Sequence, residues 1–257
     1  MPKNDRQSER QYGVYMEEDH EYKRQLDLFV RCSTEKGIEL TYIGEILAGL
    51  KERRDFLDVG AGGGDLTIPL SQTFKRTAVV EPNQEQIDYF RRRCPDFSIF
   101  EDDFQTVDLE NRLFDFILCS HVLYYVPEGA WTEWIDKMYK HLRPGGSLAL
   151  VLQSPMGEVA DFFNAFTSYD VNILGLWQDL IRKYGDNSIT VRYFANEIWT
   201  ENLEDLTDIG LFLLIDSRFR RKRDEIRDYF EKNHCVPGGY RLRQDVVLLA
   251  VKKTNPD

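Results

Sequence analysis

The chain has 257 residues, 42% of them hydrophobic and 13% aromatic, which is enough apolar material for a sizeable core and argues against a largely disordered protein. The formal net charge of -11 disfavours nucleic acid as a partner, because proteins that bind phosphate backbones usually present a basic surface. The four cysteines are far apart and form no CxxC pair, so we expect reduced thiols in a cytoplasmic protein and no bound metal.

The N-terminal segment, residues 1–20, is polar and is expected to fray. It contains no apolar run of the kind found in signal peptides, and no stretch of the chain approaches the ~18 consecutive apolar residues of a membrane span. Two helical patterns follow, near 26–30 and from about 38, and the second repeats apolar residues at helical spacing through 43–50. We expect residues 21–257 to form a single domain.

Strand-like and helical segments then alternate along the chain. Five nearly continuous apolar runs predict parallel strands covered on both faces, at 55–60, 77–82, 97–100, 114–120 and 147–153. Helices are predicted between them, at 65–74, 83–93 and 129–142. This alternation predicts an α/β fold built on a doubly wound parallel sheet.

The C-terminal part of the chain departs from this alternation. Segment 155–195 contains several aromatic residues and no clear strand, so we interpret it as a helical insertion or substrate lid. The remaining elements are predicted to be a helix, an apolar strand, a charged helix and a final strand, at 196–209, 211–216, 224–233 and 245–253.

A glycine-rich loop, FLDVGAGGGD at 56–65, lies between the first strand and its helix, where doubly wound sheets bind ligands. Four glycines in five positions cost backbone entropy on folding, so we expect a ligand to approach the main chain there. A nicotinamide dinucleotide fingerprint needs a very small residue at the position that Asp65 occupies, and the charge of an aspartate there would repel a pyrophosphate. The pattern D-x-G-x-G-x-G from Asp58 to Gly64 instead resembles motif I of the class I S-adenosylmethionine-dependent methyltransferases.

This resemblance implies S-adenosylmethionine as the cofactor and a seven-stranded, Rossmann-like fold. The methionine part of the cofactor would lie against Asp58, Gly60 and Gly62. The family's other cofactor positions stand in order at successive strand ends, namely Glu81 and Gln86 for the ribose, Asp103 and Phe104 for the adenine, and Ser120 facing the donor site. Each acid alone is as well explained as an exposed loop carboxylate, but the ordered set indicates a methyltransferase.

A closer resemblance concerns the methyl acceptor. The stretches RCSTEKG (31–37), VVEPNQEQI (79–87), FDFILCSHVLYYV (114–126) and WQDLIRKYG (177–185) are similar to parts of the histamine N-methyltransferase family. The resemblance implies transfer to a small amine or imidazole nitrogen in a polar pocket with aromatic walls. The substrate-binding positions that it implies are Tyr22, Glu35, His121, Tyr125, Trp177 and Gln244.

Three positions depart from that family's pattern. The family has a glutamine where His121 stands, an asparagine where Gln244 stands, and a second pocket tryptophan where Ile181 stands. These differences put histamine itself in doubt as the acceptor. His121 is a candidate catalytic residue, either as a base or only as a hydrogen-bond partner, and Glu35 is either a substrate carboxylate or a helix cap.

Two other functions fit the same sequence. One is an O- or C-methyltransferase acting on a small secondary metabolite, with His121 as the base for a hydroxyl. The other is a non-catalytic module that binds S-adenosylmethionine without transferring its methyl group. Because no heptad repeat or long exposed apolar face is evident, we expect a monomer. We expect its partner to be a small-molecule substrate, and neither nucleic acid nor a membrane.

Overall fold

The computed structural model describes residues 20–168, 171–214 and 216–254, so almost all of the predicted N-terminal segment 1–20 lies outside the described residues. The strands are β1 (Asp55–Val59), β2 (Arg76–Val80), β3 (Ser98–Phe100), β4 (Phe114–Ser120), β5 (Leu142–Gln153), β6 (Ile189–Thr200), β7 (Cys235–Val236) and β8 (Gly239–Lys252). The helices are α1 (His20–Cys32), α2 (Glu35–Ala48), α3 (Thr67–Ser71), α4 (Gln84–Arg93), α5 (Trp131–Lys140), α6 (Glu158–Phe166), α7 (Ile173–Tyr184), α8 (Leu203–Leu213) and α9 (Arg223–Asn233).

Seven strands follow one another in the order β3-β2-β1-β4-β5-β8-β6, and the short β7 pairs with β8. β1 pairs in parallel with β2 and β4, β2 pairs in parallel with β3, and β4 pairs in parallel with β5. β8 is antiparallel to β5. This topology confirms the α/β fold and the doubly wound, seven-stranded path that the sequence predicted.

The chain divides into two compact units. The first unit comprises Glu35–Ala195 together with the chain from Asp245 onward. The second unit comprises Asn196–Gln244 together with the chain up to Thr34. β6 and β8 each run from one unit into the other, and the single domain spanning 21–257 stays a prediction.

The sheet of the first unit is covered on both faces. Along β1, Leu57 and Val59 belong to one hydrophobic cluster and Phe56 belongs to another, because successive side chains of a strand point to opposite faces. Along β4, Ile117 and Phe116 divide between the same two clusters. Burial on both faces is the reason that these strands appear in the sequence as continuous apolar runs.

Segment 155–195 is helical only in part. It contains α6 and α7, but β6 begins at Ile189, so the interpretation of the whole segment as helical is wrong at its end. Val191 and Tyr193 are exposed on this strand, and the run ITVRYFANEIWT therefore lacks the continuous hydrophobicity that marked the buried strands. In the part of the chain that the structure describes, no helix is both long and apolar enough to cross a membrane.

The region after β6 also differs from the prediction. The helix predicted at 196–209 begins later, at Leu203, because Asn202 caps it by accepting a hydrogen bond from the backbone N–H of Asp205 at 2.9 Å. The strand predicted at 211–216 is wrong for 211–213, which continue α8. A short apolar run has no period that separates strand from buried helix, and here the helix is buried along most of its length.

Candidate active site

The glycine loop begins where β1 ends at Val59. Gly60, Gly62 and Gly64 have φ angles of +73°, +51° and +82°, which L side chains rarely adopt. A Cβ atom at Gly60 would lie 2.5 Å from Cγ2 of Val122, so packing also demands glycine there. A Cβ atom at Gly62 would meet nothing within 4 Å, so the main chain at that position borders open space that a ligand can enter.

Glu81 follows β2 and braces this loop. One of its carboxylate oxygens accepts the backbone N–H of Gly62 at 3.0 Å, and the other accepts the backbone N–H of Asn83 at 3.0 Å. Burial raises the pKa of the Glu81 carboxyl above its usual value, although these two hydrogen bonds oppose the shift. A carboxylate can accept further hydrogen bonds, so Glu81 is still able to serve ribose hydroxyls.

Asp58 is buried in β1, next to the loop. Its Oδ2 atom accepts a hydrogen bond from the hydroxyl of Thr67 at 2.7 Å, which ties the strand to the start of α3. Burial raises the pKa of Asp58 to about 7, with the charge of Glu81 adding to the effect and the Thr67 hydrogen bond opposing it. The carboxyl groups of Asp58 and Glu81 thus form a buried pair that favours the arrival of positive charge.

The other predicted cofactor residues occupy different environments. Asp103 is exposed, and its Oδ1 atom accepts the backbone N–H of Gln105 at 2.7 Å. Phe104 is only 2% exposed, and its ring packs against Trp134 with centroids 5.2 Å apart, so little of its surface is left for an adenine ring. Gln86 is half-buried in the first turn of α4. The adenine contacts of Asp103 and Phe104 and the ribose contact of Gln86 stay predictions.

A second group of polar residues is buried on α2 and at the end of β4. Glu35 and Glu39 lie one helical turn apart and are 1% and 0% exposed. The ammonium of Lys36 lies 2.8 Å from Glu35 Oε1 and 3.3 Å from Glu39 Oε2, and the hydroxyl of Ser120 donates to Glu39 Oε2 at 3.3 Å. We call Glu35, Lys36, Glu39, Ser120 and His121 the carboxylate cluster.

His121 is held in the cluster through its main chain and its ring. Its φ of +57° is unusual for a residue other than glycine, and its N–H donates to Val151 O at 2.9 Å. Nε2 lies 2.8 Å from Glu39 Oε1 and 3.5 Å from Glu35 Oε2. Nδ1 lies 3.1 Å from the hydroxyl of Tyr124. Both ring nitrogens therefore already have partners in the protein.

The available donors determine which atom donates in each hydrogen bond around His121. The backbone N–H of Gln153 can only donate, so the hydroxyl oxygen of Tyr124 accepts from it. The Tyr124 proton is then directed to Nδ1 of His121, and Nε2–H donates to the carboxylate of Glu39. A base role for His121 is therefore indirect in this geometry, since a proton would have to reach Nδ1 through the tyrosine hydroxyl.

Oppositely charged groups in the cluster stabilise each other's ionised forms. Burial opposes the ionised form of Glu39, but the positive charge of Lys36 and the hydrogen bonds from His121 and Lys36 outweigh it and hold the pKa of Glu39 below its usual value. Burial likewise opposes the charge of Lys36, and Glu35 and Glu39 outweigh it and raise the pKa of Lys36. Within the cluster as defined, two carboxylates lie against one ammonium.

Glu35, Glu39 and His121 also offer three possible metal-ligand atoms within 4.8 Å of one another. The ammonium of Lys36 already lies against both carboxylates, and it would repel a metal cation placed between them. The expectation of no bound metal stays a prediction.

A family model described as a methyltransferase domain matches residues 33–204, which is more than half of the chain. The chain belongs to this methyltransferase family. Its activity is S-adenosylmethionine-dependent methyl transfer, and S-adenosylmethionine is its cofactor. No curated protein is similar enough in sequence to count as a match.

Solved structures of methyltransferases share the fold. A candidate methyltransferase from Bacillus halodurans is 16% identical with a TM-score of 0.59, covering 84% of this chain and 99% of its own. The YcgJ protein of Bacillus subtilis is 14% identical with a TM-score of 0.57, covering 83% and 98%. Phosphoethanolamine N-methyltransferase 2 of Haemonchus contortus is 13% identical with a TM-score of 0.53, covering 84% and 52%. At these identities the likeness supports the fold alone.

The remaining residues predicted to bind the acceptor lie on different elements of this methyltransferase, and their roles stay predictions. Tyr125 is half-buried in the turn after β4, and Trp177 is 36% exposed on α7. Gln244 is buried in the second unit, where it accepts a hydrogen bond from Asn196 at 3.1 Å. Tyr22 lies in α1, and its side chain is outside the described part of the structure.

The structure brings together Glu35, Ser120 and His121, whose binding roles stay predictions, and it adds Glu39 and Lys36, which sequence reasoning missed. A pattern in the sequence could have revealed Glu39. It stands one helical turn after Glu35 on a helix that is otherwise rich in apolar residues, so the two acids share a face. Acids on the buried face of a helix indicate a site or an ion pair.

Proposed function

We propose that this methyltransferase transfers a methyl group to a nitrogen of a small, positively charged amine or imidazole, as in the histamine N-methyltransferase family. The buried carboxylate cluster is the observation that carries the proposal. Glu35 and Glu39 are two buried carboxylates that both lie against the ammonium of Lys36, and carboxylates at a substrate site attract a cationic acceptor. We also propose that the protein acts in the cytoplasm, since its four cysteines are free thiols.

The residues at the glycine loop fit the cofactor. Gly62 borders open space, and the pKa values of Asp58 and Glu81 are raised in a way that positive charge would reverse. When bound, S-adenosylmethionine supplies an activated methyl group on its sulfonium. We infer that Asp58 and the loop hold the methionine part, while Glu81 accepts hydrogen bonds from the ribose.

The chain's own task is then to hold the acceptor nitrogen in line and unprotonated. An imidazole is already mostly neutral at pH 7, given a reference pKa of about 6.5, so it needs no base. An aliphatic amine has to lose a proton first. The hydrogen-bond chain from Tyr124 through His121 to Glu39 can take that proton. The Tyr124 oxygen would accept the proton of the amine as the tyrosine's own proton moves to Nδ1, and the imidazolium formed lies beside Glu39.

The two other functions receive less support. Direct base catalysis on a hydroxyl needs a free imidazole nitrogen, and both nitrogens of His121 have protein partners. A module without catalytic activity would not need a buried, charge-coupled cluster, because burying ionised groups costs several kcal/mol per ion unless they are paired. An acceptor assay decides between these functions.

The test compares Glu35→Gln with Glu45→Gln, the same change on an exposed position of α2. Labelled S-adenosylmethionine would be incubated with panels of amines, imidazoles and phenols. We expect turnover on a cationic amine or imidazole, and Glu35→Gln should raise the acceptor KM at least about tenfold while cofactor affinity is unchanged. Glu45→Gln should match the wild type. Turnover only on phenols, or an unchanged KM in Glu35→Gln, would overturn the proposal.

A further inference from the structure

Lys137, on α5, makes a concentrated set of contacts outside the carboxylate cluster. Its ammonium donates to the carbonyl oxygens of Phe104, Gln105 and Val107 at 2.6, 3.1 and 2.7 Å. The same nitrogen lies 4.9 Å from the centroid of the Phe104 ring. An ammonium has three protons, so these carbonyls use its full donor capacity.

All three carbonyls belong to one short loop, residues 103–107, which we call the Asp103 loop. Inside the loop, the backbone N–H groups of Thr106 and Val107 both donate to Asp103 O, at 3.1 and 2.9 Å. The Asp103 side chain accepts the backbone N–H of Gln105 at 2.7 Å. The backbone N–H groups of Gln105, Thr106 and Val107 are thus bonded inside the loop, and Lys137 binds carbonyl oxygens that these bonds do not use.

The electrostatics of Lys137 agree with a role at this loop. Burial is the largest influence and lowers the pKa of its ammonium, whereas the carboxylates of Asp103, Asp102 and Asp108 act in the opposite direction. The lysine therefore stands as a half-buried positive charge among the acids of the loop. An apolar side chain could fill the same space but would supply neither the hydrogen bonds nor the charge.

We propose that Lys137 is a positioning residue for the cofactor, because its ammonium fixes the loop that presents Asp103 to the adenosine. The inference rests on the cofactor role proposed for Asp103. It does not depend on the identity of the methyl acceptor. Loss of the ammonium should loosen the loop and weaken adenosine binding without a matching change at the carboxylate cluster.

Lys253 provides a matched control in the same unit. Its ammonium also donates to three carbonyl oxygens, those of Tyr139, Lys140 and Leu142, at 3.0, 3.2 and 2.8 Å. It lies 5.2 Å from the centroid of the Tyr139 ring, and burial lowers its pKa as well. Lys253 therefore repeats the chemistry of Lys137 at the end of α5, away from the Asp103 loop.

The experiment compares the wild type, K137M, K253M and D103N by calorimetric titration with S-adenosylhomocysteine, which needs no acceptor. We expect K137M to raise the Kd about tenfold, corresponding to one or two charge-assisted hydrogen bonds. K253M should stay within about twofold of the wild type even if it lowers the melting temperature. Hydrogen exchange at the amides of Thr106 and Val107 should accelerate in K137M and not in K253M.

A Kd for K137M equal to that of K253M would overturn the positioning role of Lys137. Weaker binding by D103N in the same experiment would then support the cofactor role of Asp103 alone. An unchanged Kd in both K137M and D103N would overturn the inference together with the cofactor role of Asp103. If K137M does not fold, K137R is the second variant, since a planar guanidinium keeps the charge but cannot direct three protons from one nitrogen. A Kd increase of about threefold is then expected, and wild-type affinity would overturn the inference.

Discussion

Two pairs of buried carboxyl groups in the first unit have opposite electrostatic environments. Asp58 and Glu81, beside the glycine loop, receive hydrogen bonds from a hydroxyl and from backbone N–H groups but no salt bridge among the described residues. Their pKa values are raised. Glu35 and Glu39 share the ammonium of Lys36, and the pKa of Glu39 is lowered.

The difference lies in the source of the cation that compensates each pair of carboxylates. The chain itself supplies a cation, the Lys36 ammonium, to Glu35 and Glu39 before any ligand arrives. The raised pKa values of Asp58 and Glu81 favour their neutral forms, so a cationic ligand would favour their ionisation and link it to binding. One pair is therefore a permanent part of the fold, and the other responds to its ligand.

The largest expected effect comes from removing the permanent cation. Lys36→Met leaves two carboxylates buried side by side, and we expect the free energy of unfolding at pH 8 to fall by about 3 kcal/mol. Adding Glu39→Gln to this variant should restore much of the loss, because it removes one of the repelling charges. Chemical denaturation measures both. Lys51→Met, at an exposed lysine, is the control. A loss as small as that of the control would show that the cluster needs no internal cation.

A smaller effect is expected in the pH dependence of cofactor affinity. In the ligand-free protein the pKa of Asp58 is about 7, and a bound cation favours its ionised form. Affinity for S-adenosylmethionine should therefore increase with pH, by up to about tenfold per unit below pH 7, and level off above it. Calorimetric titrations across this range measure the profile. Asp58→Asn should flatten it, and an unchanged slope in that variant would move the titrating group elsewhere.

The stability of the free protein provides an independent control with the opposite sign. Because the folded pKa of Asp58 is raised above the unfolded value, its contribution to stability is complete below about pH 4 and is lost as pH rises through about 7. The free energy of unfolding of the wild type should thus decline relative to Asp58→Asn across that window. Parallel curves would contradict the raised pKa.

The smallest expected effect concerns the hydrogen-bond chain of the second pair. Tyr124→Phe removes the hydroxyl between Gln153 and His121 and should cost about 1 kcal/mol of stability. If the chain accepts a proton, this variant should also lower kcat for an aliphatic amine while leaving cofactor affinity and turnover of an imidazole unchanged. Steady-state kinetics on both acceptors measures this, with Tyr89→Phe on α4 as the control. Equal losses on both acceptors would exclude a proton-transfer role.

The sequence predicted the glycine loop better than the carboxylate cluster, because the loop depends on local spacing. Gly60, Gly62 and Glu81 stand at strand ends that the alternating pattern itself locates. The cluster depends on a contact between His121 and Glu39, which are 82 residues apart, and no local pattern encodes that distance. Tertiary packing, which local sequence does not encode, also buries Phe104 against Trp134, and its contact with adenine stays a prediction.

The position of β8 has a consequence for how the chain folds during synthesis. This strand is the last in the chain, yet it lies between β5 and β6 in the sheet. Until β8 has left the ribosome, the side of β5 that it covers remains an unpaired strand edge. The nascent chain therefore carries an open, apolar edge until β8 is made and pairs with β5, and chaperone binding or aggregation is expected to be concentrated in that interval.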